Sequence, residues 1–247
     1  SAERKDEVYV LNGHKKWISF GQLAGLFLIF AQIEGQPAAF LVEGNTPGLI
    51  REPMHGLLGT RASMLAEIHL EKCPVPKENL LGSPGLGFTA VALSALDLGR
   101  YSVAWGSVGI GQACLEASLL YSRQRQQFGV PLQSFQLIQE MIANMVTQVK
   151  AARLLCYQAG YSHDSHHPNA TAETLMAKYF ASNMAARVAS DAVQIHGGNG
   201  CGPGYPVSRY FRDAKVMEII EGSNQMQQVM IAQNAYQEYK NFERALS

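Results

Sequence analysis

A chain of 247 residues holds one large domain or two smaller ones and has ample material for a core. Its formal net charge of zero leaves no electrostatic footprint for nucleic acid or an anionic membrane surface, and no run of about 18 apolar residues marks a membrane span. Apolar residues reach 47% and charged residues only 16%, a balance that points to surface buried between subunits.

Residues 1–84 read as β structure. Val8–Leu11, the Asn12–Gly13 pair and Lys15–Ser19 spell strand, tight turn, strand, since Asn-Gly supplies the positive φ of a two-residue hairpin. Leu26–Ile33 is an apolar run between Gly25 and Gly35, and Pro37–Val42 follows a glycine turn. Thr46–Gly48 is a further turn, and Glu67–Glu71 alternates as a half-buried strand does. Strands at this spacing without intervening helices predict a small antiparallel barrel or sandwich.

After Pro84–Gly85 the character changes. Phe88–Arg123 has no proline and is rich in Ala, Leu and Ser. From Phe135, apolar residues recur at Ile138, Met141, Ile142, Met145, Val149, Ala152 and Cys156, close to a 3.6-residue period. Ala170–Ile195 and Gln225–Phe242 repeat the helical pattern. The expected fold class is therefore α+β: a β domain over residues 1–84, then an antiparallel four-helix-type bundle over 85–247. Cys73, Cys114, Cys156 and Cys201 show no CxxC pairing, so reduced, mostly structural thiols are expected.

Glu221 stands between Ile220 and Gly222. Apolar neighbours would raise its pKa toward that of a working general base; the alternative is an ordinary acidic residue at a helix N-terminus. His196–Gly204 holds five glycines in nine residues and is either an anion-binding nest or a plain loop. It is no dinucleotide fingerprint, because no strand precedes it. Gly106, Gly109 and Gly111 lie within a helical stretch and read as tight helix packing. Arg123–Gly129 ends a long helix, with Gly129 as its cap; alternatively Arg125 meets a cofactor phosphate while Phe128 packs on a flat ring. Trp17 and Ser19, two apart on a strand, share a face: core, or the border of a planar cofactor. His163, Asp164, His166 and His167 read as a solvated loop, and no metal is assigned.

In order along the chain, Tyr9–Ser19, Thr46–Gly48, Gly59–Ser63, Val75–Asn79, Gly85–Phe88, Leu98–Arg100, Arg125–Gly129, Gln136 and the stretch 194–225 resemble the motifs of the acyl-CoA dehydrogenase family. The resemblance implies FAD as cofactor and an acyl thioester, carried by CoA or by an acyl-carrier protein, as substrate. Glu221 then matches the α-proton base. Trp17 and Ser19 match the strand bordering the flavin. Arg125, Phe128, Gln136, Gln194, Gly197, Gly198 and Gly200 match residues that reach FAD across a subunit interface, and Ser223 and Gln225 match flavin-side positions after the base. Arg100 and Gly222 match substrate-side positions. Some members carry the base on the helix of the Leu-x-x-x-Arg stretch; here that position is Gly99, which leaves Glu221.

The same resemblance implies a homodimer or a tetramer, electron-transfer flavoprotein or oxygen as acceptor, no nucleic-acid or membrane partner, and a cytoplasmic location (the mitochondrial matrix in a eukaryote). The family's N-terminal helical domain and its Thr-Glu-Pro…Gly-Ser-Asp stretch have no counterpart, and the first residue is Ser1. The chain is thus expected to be a truncated or processed form, or one completed by another polypeptide. A flavin oxidase, or a silent oligomerising fragment, are the alternatives.

Overall fold

The computed structural model describes residues 1–246. Packing divides the chain into two units, Ser1–Ala95 and Leu96–Ser247. In the first, β1 (Ala2–Lys5), β2 (Val8–Ile18), β6 (Ala66–Pro76) and β5 (Leu49–Pro53) form an antiparallel sheet in the order β1-β2-β6-β5, and β3 (Leu26–Ile33) pairs with β4 (Gln36–Glu43) as a separate hairpin. The two layers close on one core, in which Phe27, Ile29, Phe40 and Val42 of the hairpin join Leu11, Ile68, Leu70 and Val75 of the sheet. Each such side chain contributes roughly 1.5–3 kcal/mol by leaving water. Along β6 the buried Ile68 and Leu70 alternate with the half-buried Glu67 and His69, as the sequence pattern requires.

Asn12–Gly13 does not close a hairpin. Both flanks belong to β2 and pair with the same partner, Tyr9 with Val75 and His14 with His69. Gly13 takes φ 152° at a register shift between Leu11 and Gly13, and Asn12 Oδ1 accepts from the Lys72 amide at 2.8 Å. The pair makes a bulge, because β6 is long enough to serve both halves and the Asn side chain satisfies the amide that the bulge displaces. A second shift, between Lys15 and Ile18, holds Trp17 at φ 63°. Ser19 lies beyond the strand in a turn, so the even spacing of Trp17 and Ser19 does not put them on one strand face.

The second unit is helical: α1 (Leu93–Gln124, which enters from the first unit), α2 (Gln136–Asp164), α3 (Ala170–His196), α4 (Gly198–Cys201), α5 (Val207–Met217) and α6 (Asn224–Leu246). The division falls inside α1, after the composition change at Pro84–Gly85, and the intervening Gly87–Ala92 is wound as a π-helix. The core is made of small and flexible side chains, among them Cys114, Met145, Ala152, Cys156, Ala177, Met184 and Ala185. Small residues let the helices approach closely, and methionine fills what is left. Cys73, Cys114 and Cys156 are buried free thiols and Cys201 is exposed.

Arg125–Gly129 is no helix cap. α1 stops at Gln124, and β7 (Gln126–Gln127) and β8 (Val130–Pro131) make a small hairpin whose turn residues Phe128 and Gly129 take φ 53° and 80°. Two positive φ values in a two-residue turn match the twist of the strands. The histidine cluster is a solvated loop only in part: His166 and His167 are exposed beyond α2, but His163 and Asp164 belong to the last turn of α2, and His163 Nε2 lies 2.8 Å from Thr174 Oγ1 and 3.3 Å from Asp97 Oδ2. Among the described residues no helix is long and apolar enough to cross a membrane.

Gly106, Gly109 and Gly111 of α1 differ in their surroundings. A Cβ on Gly111 would stand 2.7 Å from Met184 Sδ and 3.1 Å from Val149 Cγ2, whereas Gly106 and Gly109 face open space. Of these three, only Gly111 serves close packing. Gly109→Ala should therefore stabilise the protein by up to about 1 kcal/mol through helix propensity, and Gly111→Val should cost about 1–3 kcal/mol by overpacking. Urea denaturation of the two variants checks this; equal effects would show that the packing at Gly111 is not tight.

Candidate active site

The loop between α5 and α6 carries Glu221. The amides of Ile219 and Ile220 still bond back to the Val216 carbonyl at 2.9 and 3.1 Å, so the helical turn persists to this point. Glu221 and Gly222 then take φ 55° and 87°, and the Asn224 amide closes the loop onto the Glu218 carbonyl at 2.9 Å. Glycine visits that region freely, but a glutamate there costs on the order of 1–2 kcal/mol and persists only where the surroundings over-determine it.

Three elements do so. From α1, Arg100 Nε donates to the Glu221 carbonyl at 3.2 Å. From α6, Gln227 Nε2 donates to the Glu221 and Gly222 carbonyls at 3.3 and 3.1 Å. From α3, the ammonium of Lys178 donates to the Gly222 carbonyl at 2.9 Å, Asn224 Oδ1 at 3.0 Å and the Glu218 carbonyl at 3.4 Å. Lys178 and Gln227 are fully buried, and Ser182 Oγ adds a 2.8 Å bond to Asn224 Oδ1. The Glu218, Glu221 and Gly222 carbonyls thus each find a buried donor, as the cost of an unpaired buried carbonyl demands.

The carboxylate of Glu221 lies against Gly99 of α1: a Cβ built on Gly99 would overlap its atoms. Glycine at 99 is therefore not merely a residue without an acid; its missing side chain is the space the carboxylate occupies. Burial raises the Glu221 pKa, and the charges of Arg100 and Lys178 oppose the rise. Burial likewise lowers Lys178 to about 8, with the Glu218 charge the chief opposing influence. The flanking isoleucines do not wall the site as the sequence suggested, for Ile219 and Ile220 are 57% and 37% exposed. The close approach to Gly99 of α1 helps to take the carboxylate out of water. Ser223 starts α6, where its Oγ accepts from the Met226 amide at 3.4 Å, and Gln225 is exposed beside it.

The glycine turn after α3 is built on aromatic rings. His196 is buried, stacks on Tyr121 at 4.2 Å and packs edge-on to Tyr205. Tyr121 Oη donates to the His196 carbonyl at 3.3 Å and accepts from Asn199 Nδ2 at 2.9 Å. Gly197 breaks α3 at φ 58°, and the segment expected as a plain loop or nest contains the short helix α4. Gly200 is buried against the Val193 carbonyl, whereas a Cβ on Gly197 or Gly198 would meet open space and Gln194 is exposed.

The hairpin between α1 and α2 holds Phe128 91% exposed, packed only edge-on to Phe135 at 6.2 Å. A cavity of about 660 Å³ opens there, lined by Gln127, Phe128, Leu132, Phe135 and Gln136 among others. An aromatic face, amide side chains and the exposed Arg125 guanidinium on one hairpin form a donor set that suits a flat, phosphate-bearing group such as FAD. In the first unit, Trp17 is exposed.

Lys178, Gln227, Asn224 and Tyr121 escaped sequence reading. Lys178 had a legible signal, since it shares the α3 stripe of Leu175, Ala181, Ser182 and Ala185, where a lysine is out of place unless bonded.

The acyl-CoA dehydrogenase C-terminal domain model matches residues 85–236 and the middle domain model residues 1–73. The rat mitochondrial short-chain specific acyl-CoA dehydrogenase is 39% identical over 98% of this chain and 59% of its own length. The chain thus spans about three-fifths of such curated relatives. The butyryl-CoA dehydrogenase structure from Megasphaera elsdenii superposes with a TM-score of 0.91 at 38% identity, covering 95% of this chain and 62% of that one. An acyl-CoA dehydrogenase from Bacillus anthracis complexed with FAD gives 0.90 at 32% identity over 96% of this chain and 44% of that one.

A carboxylate whose folded pKa is raised favours the fold while protonated, and that contribution is lost as pH rises through the raised value. Glu221→Gln should therefore melt above the parent at neutral pH, and the gap should close as the pH drops below 4.5, the ordinary glutamate value. Calorimetry across that range decides it; a variant less stable at neutral pH would mean that the two cations outweigh burial.

Proposed function

The chain belongs to the acyl-CoA dehydrogenase family, and from that premise we propose that it carries out FAD-dependent α,β-dehydrogenation of an acyl-CoA, with Glu221 as the base. The observation that carries the reading is the Glu221 carboxylate, desolvated against Gly99 and held at a positive φ by Arg100, Lys178 and Gln227. A base must be ionised at working pH yet basic enough to take a weakly acidic proton. Burial supplies the basicity, and the two cations keep the ionised form within reach.

Glu221 takes the proton from the carbon next to the thioester carbonyl, and the electron pair left behind forms the new C=C bond as the hydrogen of the next carbon leaves as hydride. FAD, when bound, supplies the acceptor for that hydride. Arg100 acts here as a positioning residue, because its Nε is engaged by the loop carbonyl. Gly222 gives the chain its turn beside the substrate. Trp17, Ser19, Ser223 and Gln225 are assigned to the flavin ring, and Arg125, Phe128, Gln136, Gln194, Gly197, Gly198 and Gly200 to the FAD of a second copy. The exposure of Phe128 and of Leu137, Val146, Leu154, Tyr157 and Tyr161 on α2 supports that self-association. The electron acceptor is assigned to the electron-transfer flavoprotein class or to oxygen. Butyryl-CoA is the first substrate to test, since two of the compared proteins are named for short acyl chains.

In stopped-flow reduction with butyryl-CoA, Glu221→Gln should keep FAD and lose about 10²–10⁴-fold in the rate of flavin bleaching; undiminished bleaching would remove Glu221 from the base's role. Lys178 holds the Glu221 pKa down, so Lys178→Met should move the acid limb of the pH–rate profile to higher pH. An unmoved limb would show that the ammonium acts only on the backbone.

Arg125→Ala should weaken FAD binding by roughly 10–100-fold, the worth of a charge-assisted hydrogen bond, while the monomer fold stays intact. Fluorescence titration of the stripped protein with FAD measures this, and unchanged affinity would take Arg125 off the cofactor.

A further inference from the structure

We infer that the outer face of the β2–β6–β5 sheet holds a divalent transition-metal ion of the zinc class between His14, Glu67 and His69. Register places them: His14 stands opposite His69, and Glu67 precedes His69 by two residues on β6, so all three project from one face. The other face of β6 carries the buried Ile68 and Leu70, and a one-residue slip would bury the ligands and expose that core. The cluster is thus fixed by packing that has nothing to do with a metal.

The candidate ligand atoms all lie within 4.8 Å of one another. His14 Nε2 is 2.7 Å from Glu67 Oε2, and the two imidazoles are stacked 4.3 Å apart at an interplanar angle of 8°. His69 Nε2 is shut off from solvent and has no hydrogen-bond partner among the described residues; its nearest charged group is Glu52 Oε2 at 3.5 Å. An imidazole nitrogen sealed against water without a bond is a costly arrangement. A cation that both imidazoles and the carboxylate can reach removes that cost. Two neutral nitrogens and one carboxylate form a zinc-type donor set, open to water or Glu52 as the fourth ligand, whereas calcium and magnesium call for oxygen throughout. Drawing the atoms to the roughly 3.4 Å spacing of a tetrahedral site requires the two stacked rings to turn toward one another.

Lys16 places its Nζ 2.8 Å from Glu67 Oε1. It engages the Glu67 oxygen that His14 does not. Two carboxylates, Glu52 and Glu67, thus stand with one lysine, Lys16, at the cluster, which favours a dication. His14 lies far from Glu67 and His69 in the sequence, and only the pairing of β2 with β6 brings the three together.

The test is a titration of chelator-treated protein with Zn²⁺ by calorimetry and with Co²⁺ by visible absorption. One ion per chain with a tetrahedral Co²⁺ band is expected. His69→Ala and His14→Ala should each weaken binding at least about tenfold, and Cys201→Ser, which removes the exposed thiol, should leave it unchanged. Circular dichroism confirms that the variants stay folded. Absence of binding to folded parent protein, binding indifferent to His69→Ala, or binding lost with Cys201→Ser overturns the site.

Discussion

The organisation of the helical unit depends on one buried ammonium. Lys178 lies inside α3 with no exposed surface and spends its protons on the Glu218 and Gly222 carbonyls and on Asn224 Oδ1. A cation removed from water is tolerable only where acceptors replace its hydration. Here the acceptors are the exposed carbonyls of a turn that regular secondary structure cannot satisfy. Each side of the arrangement requires the other: without the lysine the turn would bury unpaired carbonyls, and without the turn the lysine would be stranded. Arg100 and Gln227 complete the set.

That mutual requirement explains how a glutamate is held at a positive φ and how its carboxylate comes to lie in the space left by Gly99. Desolvation and attraction are then balanced on a single group: burial pushes the Glu221 pKa up and two fixed cations hold it back. Placing both cations on the backbone side leaves the carboxylate oxygens uncommitted to a salt bridge among the described residues. Pairing with Arg100 directly would have kept the group ionised but made it a poor base.

Much of the architecture was legible in the residues. The α2 stripe from Ile138 to Cys156 and the alternation of Glu67–Leu70 are one-sided burial written as period, and both elements form where that period runs. What failed was local chemistry overruled by a distant partner. Asn12–Gly13 has the composition of a hairpin turn, yet β6 pairs with both flanks and the Asn amide group completes a bulge. Arg125–Gly129 resembles a helix end, yet Phe128 and Gly129 together form a hairpin turn. At the candidate site, the tight turn at Gly222 was legible from the sequence. The donors from α1, α3 and α6 were not, because sequence proximity is no guide to which helices converge, and Ile219 and Ile220 misled by proximity alone. His14, Glu67 and His69 meet only through strand register.

Trp17, Phe128 and Glu221 share a backbone state that their side chains disfavour, with φ of 63°, 53° and 55°. Glycine would relax each of them, so at these three places the polypeptide is held taut by its own side chains. A laboratory selection that rewarded heat tolerance alone would thus find easy gains by erasing an indole, a phenyl ring and a carboxylate. If these residues serve the flavin and the substrate as proposed, hardening the scaffold and keeping it useful are opposed at these sites, and a campaign blind to that opposition would yield a sturdier but chemically mute protein.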